Sequence, residues 1–344
     1  PRPPGELDCM AKRATQRAVW ALCAVLAVVV TGGTGLLLAQ VRPYWIAKYH
    51  GLEADLHDAA LPHASLRKAM LQRAILKRAN LRGADLIAAD LTNADLRWAH
   101  LEGARLSYAS LDANLTDAHL EGAALQGVRL VEATRAHLER ADLTGAWLYG
   151  LQGAHLEGAN LTRAESNEGT LDEADLRGAT LRGARLFLTT FLSSDLRRAD
   201  LRQSDLCADV LQTARLEGAD LRGACYDRDT SWPRGFDPKQ HGALWLGPQA
   251  DLRACNLTGR HIEVDSLSQA DLEGADLTGA DLSGVRLRQA NMRHARLQGA
   301  DLRHADLTGA DLTGATYDDR THWPLGFAPQ RRGAVRAGRS MTGG

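Results

Sequence analysis

The chain has 344 residues and a formal net charge of −1 at neutral pH. Aromatic residues make up only 5% of it, which argues against the large aromatic core of an ordinary globular domain. The balanced charge offers no basis for attraction to a phosphate backbone, so no direct nucleic-acid binding is expected. The five cysteines form no CxxC pair, which excludes a cysteine zinc site and a disulfide framework.

The N-terminus predicts a membrane anchor. A basic tail, residues 1–17, precedes an uncharged stretch at 18–41 that is long enough to cross a bilayer as one helix. A cleaved signal peptide is the alternative, but its apolar region is usually shorter. We therefore expect a single-pass protein of the cell membrane. Basic residues before the span favour an outside location for the rest of the chain, whereas unpaired cysteines and a basic run after it favour the cytoplasm, which we prefer.

From residue 50 onward, a five-residue word recurs, as in ADLEGADLTGADLSG at 270–284. An apolar period of five fits neither a helix nor a plain strand. It does fit a three-residue strand followed by a two-residue corner. Leu and Ala then point inward and the Asp between them points outward. Gly often ends the word, as a corner with positive φ requires.

Two aromatic segments, 224–243 and 315–334, are identical at eleven of twenty positions, and each follows a run of repeats. The end of a stack of repeats exposes apolar side chains and strand edges that need a cover. The aromatic residues are therefore predicted caps, with an aromatic ligand box as the alternative: Tyr226, Trp232, Phe236, Tyr317, Trp323 and Phe327. Two caps predict two repeat segments, 50–243 and 250–334, before a disordered basic tail at 335–344. One continuous stack that loops out the first cap is the other option.

The word resembles A(D/N)LXX of the pentapeptide-repeat family. The resemblance implies an all-β solenoid, a right-handed four-sided β-helix with the word's Leu and Ala inside. Shortened words between Leu101 and Leu156 return every 18–19 residues, close to the twenty that four words would fill. The family also implies a possible mode of action, since some members imitate a DNA duplex and bind DNA gyrase, which confers quinolone resistance.

Four histidines exceed what the repeat requires. Each stands in the outward Asp slot, and each follows the previous one by about four words: His100, His119, His137 and His155. We expect them to lie on one face at consecutive levels, with rings about 5 Å apart. Such a column is a candidate metal site or pH-responsive module. The alternative is that an exposed slot tolerates any polar residue.

No dinucleotide, P-loop, metalloprotease or nucleophile-elbow motif is present, so no enzyme and no cofactor are predicted. The sequence favours a non-enzymatic, membrane-anchored scaffold that binds an unknown protein partner through flat polar faces. A DNA-mimic regulator of a topoisomerase and a metal- or pH-responsive module are the alternatives. A basic run without acids predicts either attraction to anionic headgroups or a solvated basic face: Arg67, Lys68, Arg73, Lys77, Arg78 and Arg82.

Overall fold

A computed structural model describes residues 34–262 and 264–337. The predicted basic tail at 1–17 and most of the predicted membrane span at 18–41 lie outside these ranges. Within the described ranges, no helix combines the length and apolarity that a bilayer crossing requires. Residues 338–344 of the predicted C-terminal tail also lie outside them.

A single α-helix, α1 (Thr34–Tyr49), leads into the repeats of the described chain. Ala47 in its last turn is fully buried in the core of the first repeat segment, and Tyr44 and Ile46 pack beside it. At Gly51, a Cβ atom would lie 2.6 Å from the carbonyl oxygen of Met70, so only glycine permits this close approach. The end of α1 therefore covers the open N-terminal end of the stack.

Each repeat word forms a short bridge and a tight turn, as the period of five predicted. In the word around Leu277, Ala280 donates its N–H to the carbonyl of Leu277 at 3.0 Å. Gly279 has a φ of 66°, which places it in the left-handed region at the third position of the turn. Asn93 adopts the same conformation with a φ of 59°. Centre leucines such as Leu277 are fully buried, and the outward residues face solvent.

The words close into coils with four sides. Parallel bridges join residues twenty apart, such as Asp175 with Asp195, so one coil contains four words. Two-residue and three-residue strands form where the bridges extend. The strands are β1 (Arg129–Leu130), β2 (Trp147–Leu148), β3 (Glu165–Asn167), β4 (Arg185–Phe187), β5 (Cys225–Tyr226), β6 (Leu244–Trp245), β7 (Thr316–Tyr317) and β8 (Val335–Arg336).

Strands β1 to β4 pair in parallel in chain order along one side of the coil. At the levels of β1 and β2, the coil is shortened at the corner that follows this side. Ala133 fills the central position that leucine occupies in most words. Only two residues separate the central residues Leu130 and Ala133, and two separate Leu148 and Leu151, whereas four separate the central residues of most consecutive words. The structure therefore places between Leu130 and Ala133 the shortening that the sequence located only somewhere between residues 130 and 138.

The two repeat segments do not form one continuous stack. Within the described chain, backbone bridges of residues 251–322 join only residues of the second segment. The second segment instead touches the flank of the first. The Arg260 guanidinium donates to the carbonyl oxygens of Gln203 at 2.7 Å and Gly223 at 3.2 Å. One level away, Arg185 donates to the carbonyl of Gly259 at 3.0 Å.

An apolar contact accompanies these hydrogen bonds. Cys207 and Cys225 come from the first segment but are buried in the hydrophobic cluster of the second, and Phe187 packs against the same cluster. The second segment therefore lies beside the last coils of the first, held by arginine-to-carbonyl bonds and a small apolar interface.

The two aromatic segments adopt the same arrangement. Tyr226 meets Trp232 edge-on at 5.6 Å and Trp232 stacks on Phe236 at 5.3 Å. The second set repeats this geometry at 5.4 and 5.3 Å with its own residues: Tyr317, Trp323 and Phe327. Each set packs against the core of its own segment. A 3₁₀ turn follows each, at Pro238–His241 and Pro329–Arg332.

After each 3₁₀ turn the chain returns to the stack. Strand β6 pairs with β5, and β8 pairs with β7, both in parallel. The prediction of a disordered tail from residue 335 is therefore wrong for Val335 and Arg336, because the edge of β7 offers them a hydrogen-bonding partner.

One stretch of the core is polar. Asp209 occupies an inward slot that alanine fills in most words, and it is fully buried. Its Oδ1 accepts a hydrogen bond from the N–H of Thr189 at 2.8 Å, and Thr189 in turn donates to the hydroxyl of Ser166. Oδ2 of Asp209 is buried with no hydrogen-bond partner among the described residues.

Candidate functional site

The four histidines lie in one column on a side of the first segment that we call the histidine face. Parallel bridges join His100 to His119, His119 to His137, and His137 to His155. The ring centroids are 4.9, 4.6 and 4.6 Å apart, and the ring planes deviate from parallel by at most 10°. About one third of each of the first three side chains is exposed. The stacking comes directly from the strand spacing of the coil.

A column of glutamates runs beside the histidines. The Nδ1 atom of His100 lies 3.1 Å from Glu102 Oε1, and His119 Nδ1 lies 3.2 Å from Glu121 Oε1. At the next level, His137 Nδ1 lies 3.5 Å from Glu139 Oε1. Each level thus presents an imidazole nitrogen and a carboxylate to the same point. We call this set of histidines and glutamates the His–Glu ladder.

The glutamates keep one oxygen without a protein partner. Oε2 of Glu102, Glu121 and Glu139 is shielded from solvent and accepts no hydrogen bond from the described residues. Three overlapping groups of two histidines and one glutamate result, and in each group the ligand atoms lie within 4.8 Å of one another. Chemically, such a group can hold a divalent transition metal or share a proton.

Reasoning from the sequence did not identify the glutamates. Acidic residues are abundant in every word, so a single carboxylate carries little information. The available signal was the repetition of His-Leu-Glu at four consecutive levels, beginning at residues 100, 119, 137 and 155. Because residues i and i+2 of a bridge point to the same side, this tripeptide fixes each carboxylate next to its imidazole.

Arginines terminate the ladder at both ends. At the lower end, the Arg82 guanidinium contacts Glu102 Oε1 at 2.7 Å and His100 Nδ1 at 3.1 Å. At the upper end, Arg177 donates to Glu157 at 3.1 Å. The outer levels therefore already have a cation against their acceptors, whereas no arginine of the described residues pairs with Glu121 or Glu139.

The opposite side of the coil contains a second candidate surface. Arg129 is paired with Trp147 across β1 and β2, and its guanidinium carbon lies 5.1 Å from the centre of the Tyr149 ring. Trp147 is 45% exposed and Tyr108 is 74% exposed. The Tyr108 ring covers Gly127, where an added Cβ would lie 3.1 Å from it. We call these residues, together with the exposed Val131, the tryptophan patch.

Arginine–aspartate pairs recur along the remaining surface of the coils. In the commonest form, an outward Asp binds the Arg two residues later, as in Asp195 with Arg197 and Asp200 with Arg202. Such hydrogen bonds lower the pKa of the aspartates, and Arg222 brings the pKa of Asp220 to about 2. The carboxylates are therefore ionised and neutralised by neighbouring guanidinium groups.

The basic run near the first coil is paired in the same way. Arg67 contacts Asp85, Arg73 contacts Glu53, and Arg78 forms two hydrogen bonds with Asp58. Lys77 lies 3.3 Å from Asp95. The acids come from neighbouring coils, about twenty residues away in the sequence, so a scan of residues 59–84 alone could not find them. The pairing reduces the positive charge available to anionic headgroups.

The buried thiols are unsuited to nucleophilic chemistry. Burial raises the pKa of Cys225 to about 12 and the pKa of Cys207 well above its ordinary value. Both thiols are therefore protonated at neutral pH, and a protonated thiol is a weak nucleophile.

The sequence model described as "Pentapeptide repeats" matches eight copies in the chain, and together the matches cover more than half of it. The copies are residues 53–86, 79–113, 112–150, 151–186, 170–206, 191–225, 266–293 and 280–316. No curated protein sequence matches the chain.

The chain is also similar in sequence to proteins of solved structure. The chain is 30% identical to HetL of the cyanobacterium Nostoc sp. strain PCC 7120, a pentapeptide repeat protein involved in heterocyst differentiation regulation. That match covers 80% of this chain and 92% of HetL, with a TM-score of 0.24. The pentapeptide repeat protein alr5209 of Nostoc PCC 7120 is 36% identical over 33% of this chain and 84% of its own, with a TM-score of 0.23.

A trypsin-treated form of QnrB1, a plasmid-mediated fluoroquinolone resistance protein, is 18% identical to this chain. That match covers 56% of this chain and 90% of QnrB1, with a TM-score of 0.21. The repeat word, the four-sided coil and the family match over residues 53–225 and 266–316 agree with one another. The chain belongs to the pentapeptide-repeat family.

Proposed function

We propose that this protein is a non-enzymatic, membrane-anchored scaffold that binds a protein partner through the tryptophan patch. The observation that carries the proposal is the exposure of Trp147 and Tyr108 on the side of the coil that also presents Arg129. Trp, Tyr and Arg are the residues most enriched among the energetically dominant positions of protein interfaces. The patch extends over adjacent coils whose backbones are joined by parallel bridges, so a partner would meet a preformed surface.

The DNA-mimic alternative requires rows of carboxylates that are free to act like phosphates. Here many outward aspartates are paired with arginines, either two residues later, as at Asp175 with Arg177, or on a neighbouring coil, as at Asp306 with Arg288. The paired guanidinium groups cancel the charge that would imitate a duplex. These pairs favour the protein-binding scaffold over a topoisomerase regulator.

The anchoring part of the proposal rests on the uncharged residues 18–41. Helix α1 includes the last residues of that stretch, and its final turn packs against the first coil through Ala47. A membrane span at 18–41 would therefore be joined to the first repeat segment through the packed end of α1. This geometry would hold the tryptophan patch at a set height above the bilayer surface.

We predict that Trp147→Ala abolishes capture of the partner from detergent-solubilised membranes. Truncating a central interface tryptophan typically costs about 2 kcal/mol or more, which is roughly a 30-fold loss of affinity. Trp98→Ala is the matched control, because Trp98 is also 45% exposed but lies at a turn outside the patch. Affinity capture followed by mass spectrometry compares the three proteins. A partner retained equally by both variants would show that the patch is not the binding surface.

We predict that the full-length chain stays in the membrane pellet after extraction with alkaline carbonate. Deletion of residues 18–41 should release it, because the charged repeat surface has no affinity for the hydrocarbon core. Immunoblotting of pellet and supernatant measures both outcomes. Full-length chain in the carbonate supernatant would refute the anchor and leave the patch proposal intact.

A further inference from the structure

We propose that His119, Glu121 and His137 bind a divalent transition-metal ion, with zinc as the ion to test. This inference goes beyond the scaffold function, because the ladder lies on the opposite side of the coil from the tryptophan patch. Two imidazoles and one carboxylate form a donor set that Zn²⁺ accepts while keeping a fourth position open. In this group the ligand atoms all lie within 4.8 Å of one another.

The spacing within one level already fits a metal chelate. His119 Nδ1 and Glu121 Oε1 are 3.2 Å apart. Two ligands at the tetrahedral angle on an ion with bonds of 2.0–2.1 Å are separated by about 3.3 Å. The ion can therefore bind to both atoms with almost no movement of the backbone or of either side chain.

The third ligand comes from the next level. The His137 ring lies 4.6 Å above the His119 ring, which exceeds twice a zinc–nitrogen bond. His137 must therefore tilt toward His119 to complete the site. Its side chain is 34% exposed, so this movement does not disturb the core. The parallel bridge between His119 and His137 places the two imidazoles at adjacent levels, and a rotation of the His137 side chain would complete the site.

The glutamate oxygens provide an independent indication of a ligand. In the Asp–Arg words, both carboxylate oxygens are used: Asp195 accepts from the N–H and Nε of Arg197 on Oδ1 and from Nη2 on Oδ2. In the ladder, Oε2 of Glu121 is shielded from solvent and has no partner among the described residues. Leaving a carboxylate oxygen buried and unpaired is costly. A bound cation would compensate that charge.

The middle group is favoured over the lowest group because of Arg82, and over the upper group because its imidazole and carboxylate lie closer. His119 Nδ1 and Glu121 Oε1 are 3.2 Å apart, whereas His137 Nδ1 and Glu139 Oε1 are 3.5 Å apart. Arg82 already contacts both Glu102 and His100, so a metal in the lowest group would be repelled by a guanidinium. In the described part of the chain, no arginine pairs with Glu121. His119 is shared with the lowest group and His137 with the upper group, so filling the middle group also prevents binding in the other two. We therefore expect one ion per chain.

Calorimetric titration of the full-length chain in detergent with Zn²⁺, after removal of any affinity tag, tests the proposal. We expect one ion per chain and a rise in melting temperature that a chelator reverses. The double variant His119→Asn, His137→Asn should abolish both effects, and asparagine occurs naturally in the outward slot at Asn80 and Asn160. Glu121→Gln should weaken binding at least about tenfold, because an amide keeps the shape but not the charge.

The matched control is the double variant His294→Asn, His304→Asn, which removes two exposed histidines far from the ladder. Both occupy turn positions with positive φ, where asparagine is well tolerated. This control should bind zinc like the wild type. Absence of binding in the wild type, or equal binding by the His119 and His137 double variant, would overturn the site. Equal binding by Glu121→Gln, or equal affinity for Mg²⁺, would overturn the proposed ligand set.

Discussion

Replacing Leu277 with Asp is expected to unfold the second repeat segment. Leu277 is fully buried and stacks between Leu257 and Leu297 of the adjacent coils. Removing a buried leucine side chain costs about 2–5 kcal/mol, and burying a carboxylate among apolar neighbours adds several more. A small repeat segment does not have that much stability. Hydrogen exchange should show rapid loss of protection over residues 250–334.

The first repeat segment serves as an internal control in the same experiment. Because each coil contacts mainly its neighbours, the coils around residues 60–200 should keep their protection in the variant. Leu277→Met is the matched control, since Met292 already fills an equivalent buried position. That change should cost less than about 1.5 kcal/mol. If Leu277→Asp retained protection in the second segment, the inward assignment of the word's centre would be wrong.

Replacing Asp209 with Ala is expected to stabilise the first segment at neutral pH. Burial raises the pKa of the Asp209 carboxyl well above its ordinary value, and the nearby Asp205 and Asp227 raise it further. Burying a polar atom without a partner costs about 1–3 kcal/mol, and alanine removes that atom. The N–H of Thr189 keeps its other acceptor, the carbonyl of Leu186 at 3.2 Å. We therefore expect the free energy of unfolding, measured by urea denaturation at pH 7, to rise by about 1–3 kcal/mol.

The destabilisation that the Asp209 carboxyl causes should depend on pH. A carboxyl whose pKa is raised on folding takes up a proton as the chain folds, so it destabilises the fold above its unfolded pKa. This penalty shrinks as the pH falls through the raised pKa toward about 4. The stability difference between Asp209→Ala and the wild type should therefore narrow over that range. Asp209→Asn imitates the neutral acid and should be as insensitive to pH as the alanine variant. A wild type more stable than both at pH 7 would contradict the argument.

The fold could be predicted from the sequence because one local rule repeats. The spacing of five, with Ala280 and Leu282 inward and Asp281 outward, has only one solution as strand plus corner, and the structure has that solution. The same rule placed the four histidines in a column from their spacing alone. These features depend on periodicity, which is visible in a single chain.

Features that depend on departures from the rule were missed. Arg260 stands in an inward alanine slot, where a guanidinium cannot be buried without partners, so it turns outward to the carbonyls of the first segment. That departure was the signal for the side-by-side packing. Cys225 stands in an outward slot but is buried in the hydrophobic cluster of the second segment. The burial of this cysteine depends on how the two repeat segments pack against each other, and no periodic pattern in the sequence indicates that packing.

The regular coil has a consequence for how such a chain changes length during evolution. Most levels contain twenty residues, as between Asp175 and Asp195, so a tandem duplication of twenty codons inserts one coil and returns every later residue to its own side. A gain or loss of five codons preserves the core equally well but turns everything downstream by a quarter of a revolution. Between residues 129 and 147, for example, such a change would leave Trp147 and Arg129 on different sides. Selection on the rod alone would accept steps of five, whereas selection on a surface that crosses several coils accepts only steps of twenty.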